Sequence, residues 1–158
     1  MRIVYERPPL FSLIDAAFGI AGKPVVFAFG DAIYNPERIE ITPELHAHEA
    51  VHGERQAAGP ETWWRSYIAD ARFRLFEELP AHFAEYHAWC ANHPELGRTG
   101  RRLALAHIAR RLSSPLYGGL VSYEVARKLI KTSADQSAEL IARRGTGPTD
   151  SRPPGHLH

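Results

Sequence analysis

The chain has 158 residues, 44% of them hydrophobic and 23% charged, which fits one domain with a sizeable core and excludes a wholly disordered chain. A single cysteine, Cys90, excludes an intramolecular disulfide framework and any zinc finger that needs two or four cysteines. The net charge of +1 hides an asymmetry, since residues 1–95 hold 8 Lys/Arg and 14 Asp/Glu, whereas residues 96–158 hold 11 Lys/Arg and 4 Asp/Glu. Paired arginines such as Arg101-Arg102 and Arg110-Arg111 fit solvated helix faces, and no aromatic residues are interleaved with them to stack on bases. A basic nucleic-acid-binding module is therefore only the last-ranked reading.

No run of 18 apolar residues predicts a transmembrane helix, and the N-terminus carries Arg2, Glu6 and Arg7 instead of the apolar stretch of a secretory signal. A cytoplasmic location with no membrane partner is the expectation. After Pro8-Pro9, a short helix is predicted over 10–20, with Leu13, Ile14, Ala17 and Phe18 on one face. Val25 to Phe29 reads as a buried strand, 32–34 as a short extended piece, and the alternating segment 38–41 as a half-buried or edge strand. Beyond residue 42 the pattern is helical. Thr42 is a good N-cap, Pro43 suits the first helical position, Glu44 suits the positive helix end, and Gly59-Pro60 supplies a stop, giving a helix over 43–58. A second helix is predicted over 61–76, and Pro80 then places the start of a third at Glu77 or Glu78, running to Asn92. Thr99 caps a fourth over 100–112, Ser122 a fifth to Lys131, and Ser133 with Gln136 a sixth to Arg143. Residues 1–143 are thus expected to form a single domain and residues 144–158 a disordered tail.

The chain holds nine histidines, and their spacing carries the chemistry. His48-Glu49-Ala50-Val51-His52 matches H-E-x-x-H inside the best-capped helix. Imidazoles four residues apart share one helix face and can bind one metal ion, while the intervening Glu reaches a water on that ion. His46, two residues from His48, lies on a different face and is read as a non-ligand. A catalytic zinc needs a third ligand. The candidates lie in Phe76-Glu77-Glu78-Leu79-Pro80-Ala81-His82, where Glu78 is favoured over Glu77 and His82 competes. Ala81 would let the two helices approach closely. Glu85 and His87 are read as surface or supporting groups, and Trp63, Trp64, Tyr67, Phe73, Phe76, Phe83, Tyr86 and Trp89 as helix-packing core. Tyr86, His82 and Tyr117 are the candidates for a hydrogen bond to a reaction oxyanion, Gln56 for orienting a ligand, and strand 38–41 for pairing with an extended substrate.

Together, His48, Glu49, His52 and Glu78 followed by Ala81 resemble a minimal zincin of the gluzincin type, in which H-E-x-x-H on one helix is completed by a Glu on a later helix. The resemblance covers about residues 24–90. Gly53-Glu54-Arg55-Gln56 is similar to small zincins in which a Gln follows the second His. Ala109-Arg110-Arg111-Leu112-Ser113-Ser114-Pro115-Leu116-Tyr117-Gly118 resembles short metallopeptidase-like proteins of tailed phages. One departure is that Pro80 follows the ligand Glu instead of preceding it. The resemblance implies an α+β, zincin-like fold, mostly helical with two or three short N-terminal strands. It also implies a Zn2+ site of His48, His52 and Glu78, with Glu49 as general base acting on a peptide or protein substrate. The alternative within the same fold is a catalytically silent phage virion or assembly protein with a structural zinc and phage structural proteins as partners.

Overall fold

The computed structural model describes residues 1–57 and 59–132, so the helix expected over 133–143 and the tail over 144–158 lie outside the described residues. In chain order the elements are β1 (Arg2–Val4), α1 (Phe11–Phe18), β2 (Phe27–Phe29), β3 (Ala32–Tyr34), α2 (Pro43–Gln56), α3 (Pro60–Ala69), α4 (Ala71–Asn92), α5 (Gly97–Leu112) and α6 (Tyr123–Lys131). Short 3-10 turns at Pro94–Leu96 and Pro115–Tyr117 flank α5. The chain is thus mostly helical with a small N-terminal sheet, an α+β arrangement. Among the described residues no helix is long and apolar enough to cross a membrane.

The sheet has the order β1-β3-β2. Strands β2 and β3 form a hairpin around Gly30-Asp31, where Gly30 has φ of +60°. Strand β1 adds in parallel to β3, with Ile3 opposite Ile33. Segment 38–41 is not a strand. Arg38 takes a positive φ of 54°, and the Asn35 side chain holds Ile39 at both backbone groups, Nδ2 donating to its carbonyl and Oδ1 accepting its N–H. That clasp closes a loop where alternation predicted an extended edge, and it removes the expected pairing site for substrate.

Helix α2 begins as expected, with the Thr42 Oγ1 accepting the Leu45 N–H at 3.3 Å and Pro43 in the first turn. The boundary expected near Glu77 lies instead at Asp70. This residue is extended, and its carboxylate accepts the N–H groups of Arg72 and Phe73, which starts α4 there. Pro80 therefore sits inside a 22-residue helix. A proline there lacks one N–H and costs about 3 kcal/mol, a penalty outweighed by the packing of Leu75, Leu79 and Ala81, each 2% exposed or less. Helix α5 starts at Gly97 without a side-chain cap, so Thr99 lies within it, and Ser122 caps α6 as expected. On α1, Ile14 is buried but Leu13 is 39% exposed, so the inward face is Phe11, Ile14 and Phe18.

Two apolar clusters flank α4. One joins Leu75 and Leu79 to Leu105, Ile108, Ala109 and Leu112 of α5 and Ala126, Leu129 and Ile130 of α6. The other joins Ile14, Phe27, Trp63, Trp64 and Tyr67 from α1, β2 and α3. Between α2 and α4, buried polar side chains take the place of an apolar seam: His48, Glu49, His52 and Gln56 on one helix, Glu77, Glu78 and His82 on the other. Ala81 is fully buried. Gly53 serves close approach on the hairpin side of α2, since a Cβ there would stand 2.8 Å from the Gly30 carbonyl oxygen.

Candidate metal centre

One turn of α2 brings the two imidazoles of the motif together, with His48 Nε2 3.1 Å from His52 Nε2. Helix α4 presents Glu78 to both: its Oε2 lies 3.5 Å from His48 Nε2 and its Oε1 lies 3.3 Å from His52 Nε2. Two ligand atoms each about 2.0–2.1 Å from a tetrahedral ion stand about 3.3–3.4 Å apart. The three separations, of which the two to Glu78 reach different oxygens, run from 3.1 to 3.5 Å, close to that size. His48, His52 and Glu78 are all buried and could hold a metal ion. Among the described residues Glu78 Oε2 has no hydrogen-bond partner, which fits a donor set built for a cation.

The sequence left the third position open between Glu77, Glu78 and His82. Glu77 turns the other way: it accepts from Arg55 Nε at 2.7 Å, from Arg55 Nη2 at 2.8 Å and from Trp63 Nε1 at 2.9 Å. It is a structural anion joining α2, α3 and α4. His82 lies beside the group, with Nε2 3.4 Å from Glu78 Oε2 and Nδ1 3.1 Å from Glu85. Glu85 Oε2 is also 3.1 Å from His48 Nδ1, and its Oε1 accepts from Arg111 of α5. Glu85 thus supports the cluster, as the reading of it as a supporting group allowed; Glu78, His82 and Glu85 follow one helix face at i, i+4 and i+7. His87 is exposed.

Glu49 points at the hairpin, where its Oε2 accepts the Ala28 N–H at 2.8 Å. Ala28 turns its peptide groups away from β3, and its carbonyl accepts from Gln56 Nε2 at 2.8 Å and Trp64 Nε1 at 3.0 Å. Gln56 also accepts the Gly30 N–H at 2.7 Å. Gln56 therefore fastens α2 to the hairpin, and its hydrogen bonds go to Ala28 and Gly30 instead of to a ligand histidine, contrary to the expectation that it orients a ligand. The outward edge of β2 at Ala28 is likewise taken up by α2 and α3 side chains.

Burial drives the electrostatics. It lowers the His48 pKa to about 4, so that this imidazole is neutral. The same burial raises Glu49 to about 7, with Glu78 adding to the effect. On His52, burial is outweighed by the Glu78 and Glu49 carboxylates, which hold its pKa above the ordinary value. Glu78 is also buried, yet the imidazoles of His52, His48 and His82 hold its pKa well below the carboxylate range. Glu85 behaves in the same way under hydrogen bonds from His48 and His82, with Arg111 behind it.

A cavity of about 150 Å3 opens beside these groups. Its floor includes His48, Glu49, His52 and Glu78, its walls include Ile14, Phe18, Phe27 and Trp64, and Leu116 and Tyr117 line it from the turn after α5. Of the three oxyanion-donor candidates only Tyr117 lines this cavity. Tyr86 packs against the α5–α6 cluster, and His82 faces Glu78. Two participants escaped sequence reading. The Tyr67 hydroxyl donates to Glu78 Oε1, although Tyr67 reads as plain helix-packing core, and Arg111 reads as half of a solvated pair. Neither carries a local signal, because each role exists only after α3 and α5 pack on α4. The Arg74 guanidinium lies over the Tyr67 ring and bonds the Tyr67 and Ile68 carbonyls, fixing that tyrosine from behind.

No protein-family model, no curated protein and no solved structure matches the chain. Fold and site together define its class as an α+β chain with a buried His/Glu group able to take a metal ion. The likeness to zincins and to phage proteins rests on the motif residues alone.

Proposed function

We propose that the chain is a zinc-dependent metallopeptidase, with His48, His52 and Glu78 holding Zn2+ and Glu49 serving as general base. The observation that carries this reading is Glu49: a buried carboxylate one residue from a ligand histidine, on the floor of a cavity. A metal site that only stabilised the fold would have no need of it. Zinc held there would lower the pKa of a water toward neutrality and polarise a peptide carbonyl.

The remaining work falls to the chain. Glu49, anchored on the Ala28 N–H, takes a proton from the attacking water and returns it to the leaving amine. Burial raises its pKa to about 7 in the metal-free chain, and a cation on the neighbouring histidines would favour the ionised form that a base requires. Tyr117 donates its hydroxyl to the developing oxyanion; burial and the Glu78 charge raise its pKa well above the usual value, so it keeps that proton. The Tyr67 hydroxyl and the Glu85–Arg111 pair orient Glu78 and His48.

The test is cleavage of a mixture of unstructured peptides by the zinc-loaded chain, read by mass spectrometry. Glu49→Gln should keep one zinc per chain and lose activity by about 100-fold or more. Uncut peptides, or a Glu49→Gln variant as fast as the parent, would overturn the proposal.

A further inference from the structure

His82 is the most deeply buried ionisable side chain of the α2–α4 seam, 1% exposed, and among the described residues its Nε2 has no hydrogen-bond partner. That nitrogen lies 3.4 Å from Glu78 Oε2, as His48 Nε2 lies 3.5 Å from the same oxygen. The His82 ring stands 4.7 Å from the His48 ring, and the His52 ring stands 4.8 Å from it on the other pair. Two imidazoles therefore flank His48 at equal range.

The other nitrogen of His82 is already accounted for. Glu85 Oε2 lies 3.1 Å from Nδ1 of His82 and 3.1 Å from Nδ1 of His48. An ionised carboxylate only accepts hydrogen bonds, so both Nδ1 atoms carry hydrogen, and in the neutral rings Nε2 is the nitrogen that could bind a cation. Arg111 grips the second oxygen of Glu85 and fixes the pair of rings from the α5 side. Such outer partners set the tautomer and aim of a metal-binding histidine.

We propose that His82 is a ligand of the metal site, which then draws on three imidazoles, of His48, His52 and His82, and on the Glu78 carboxylate. The four residues form two i,i+4 pairs on facing helices, His48/His52 on α2 and Glu78/His82 on α4. Glu85 is a positioning residue for two of them at once. The inference rests on reading the site as a metal centre and is independent of the hydrolytic chemistry. With His48, His52, His82 and Glu78 holding the ion, a reacting water would have to join as a fifth ligand.

The experiment uses the full chain loaded with cadmium-113 and proton–cadmium correlation NMR. Ring protons of three of the nine histidines should correlate with the metal. His82→Gln should weaken cadmium and zinc binding about 100-fold and remove one correlation, and Glu85→Gln should weaken binding about 10- to 100-fold. His107→Gln, on the exposed face of α5, should change nothing. Correlations from His48 and His52 alone, or parental affinity in His82→Gln, overturn the inference without need of a substrate. A chain that takes up no cadmium overturns it together with the metal centre itself. Three correlations with uncut peptides keep His82 as a ligand and remove the peptidase; two correlations with cleavage do the reverse.

Discussion

Glu77 and Glu78 are sequence neighbours with opposite duties, and truncating each in turn separates them. Glu77→Ala removes the acceptor of three hydrogen bonds, two from Arg55 and one from Trp63. The Arg55 side chain is 42% exposed, so water recovers most of its loss and that pair contributes about 1 kcal/mol or less. Trp63 is 7% exposed, and its indole N–H is left without a partner at a cost of about 1–3 kcal/mol. The sum is about 3 kcal/mol, which for a domain of this size lowers Tm by roughly 6–12 °C. Metal binding should survive. Zinc at 100 times its Kd contributes about 2.7 kcal/mol, so Tm should still rise by roughly 5–11 °C when zinc is added. Glu78→Ala should behave in the opposite way, losing the zinc-dependent rise altogether. Calorimetry with and without zinc, beside zinc content per chain, reads both. A zinc-dependent rise retained by Glu78→Ala and lost by Glu77→Ala would refute the placement of the two carboxylates.

Two further outcomes follow from the contacts around α2. Gly53→Ala gains about 1 kcal/mol of helix propensity, yet its methyl meets the Gly30 carbonyl oxygen at 2.8 Å, a backbone atom that must shift. Urea denaturation should show a net loss of about 1–2 kcal/mol, and a more stable variant would show that the hairpin yields freely. In the metal-free chain Glu49 has a folded pKa of about 7 against 4.5 unfolded, so the stability it contributes is full below pH 4.5 and is lost as pH rises through 7. Glu49→Gln should abolish that loss, making the variant more stable than the parent by up to about 3 kcal/mol at pH 8 and equal to it near pH 4, as read from urea midpoints; parallel pH profiles would refute the buried charge.

What could be read from the sequence was local. The start of α2 is written in Thr42-Pro43-Glu44, and the 48/52 spacing places two imidazoles on one face whatever the tertiary fold. Glu78 was favoured with Ala81 beside it, and Ala81 does sit fully buried. The errors arose where distant partners decide. Segment 38–41 alternates like a strand, but the Asn35 side chain clasps Ile39, whereas the true third strand, Arg2–Val4, leaves Ile3 45% exposed and shows no apolar pattern. Its pairing with β3 is a contact across about 30 residues, invisible to a window. Pro80 reads as a break because its cost is local, while the packing that outweighs it comes from α5 and α6. Tyr67 and Arg111 reach the site from α3 and α5 for the same reason.

The charges of the α2–α4 seam explain why protons gather there in the metal-free chain. Glu77 is matched by Arg55 and Glu85 by Arg111. Among the described residues no guanidinium pairs with Glu49 or Glu78, which leaves two carboxylates lining the cavity between two apolar clusters. Unpaired buried carboxylates cost several kcal/mol each. Without a cation the fold offsets them with protons: Glu49 is raised to about 7 by burial, and His52 is held above its ordinary value by the carboxylates around it. Apolar residues of similar volume would pack two helices at least as stably. The seam instead keeps a deficit of two charges where the His48 and His52 imidazoles and the Glu78 carboxylate converge. One divalent cation held there would remove that deficit in a single step and displace the protons that stand in for it.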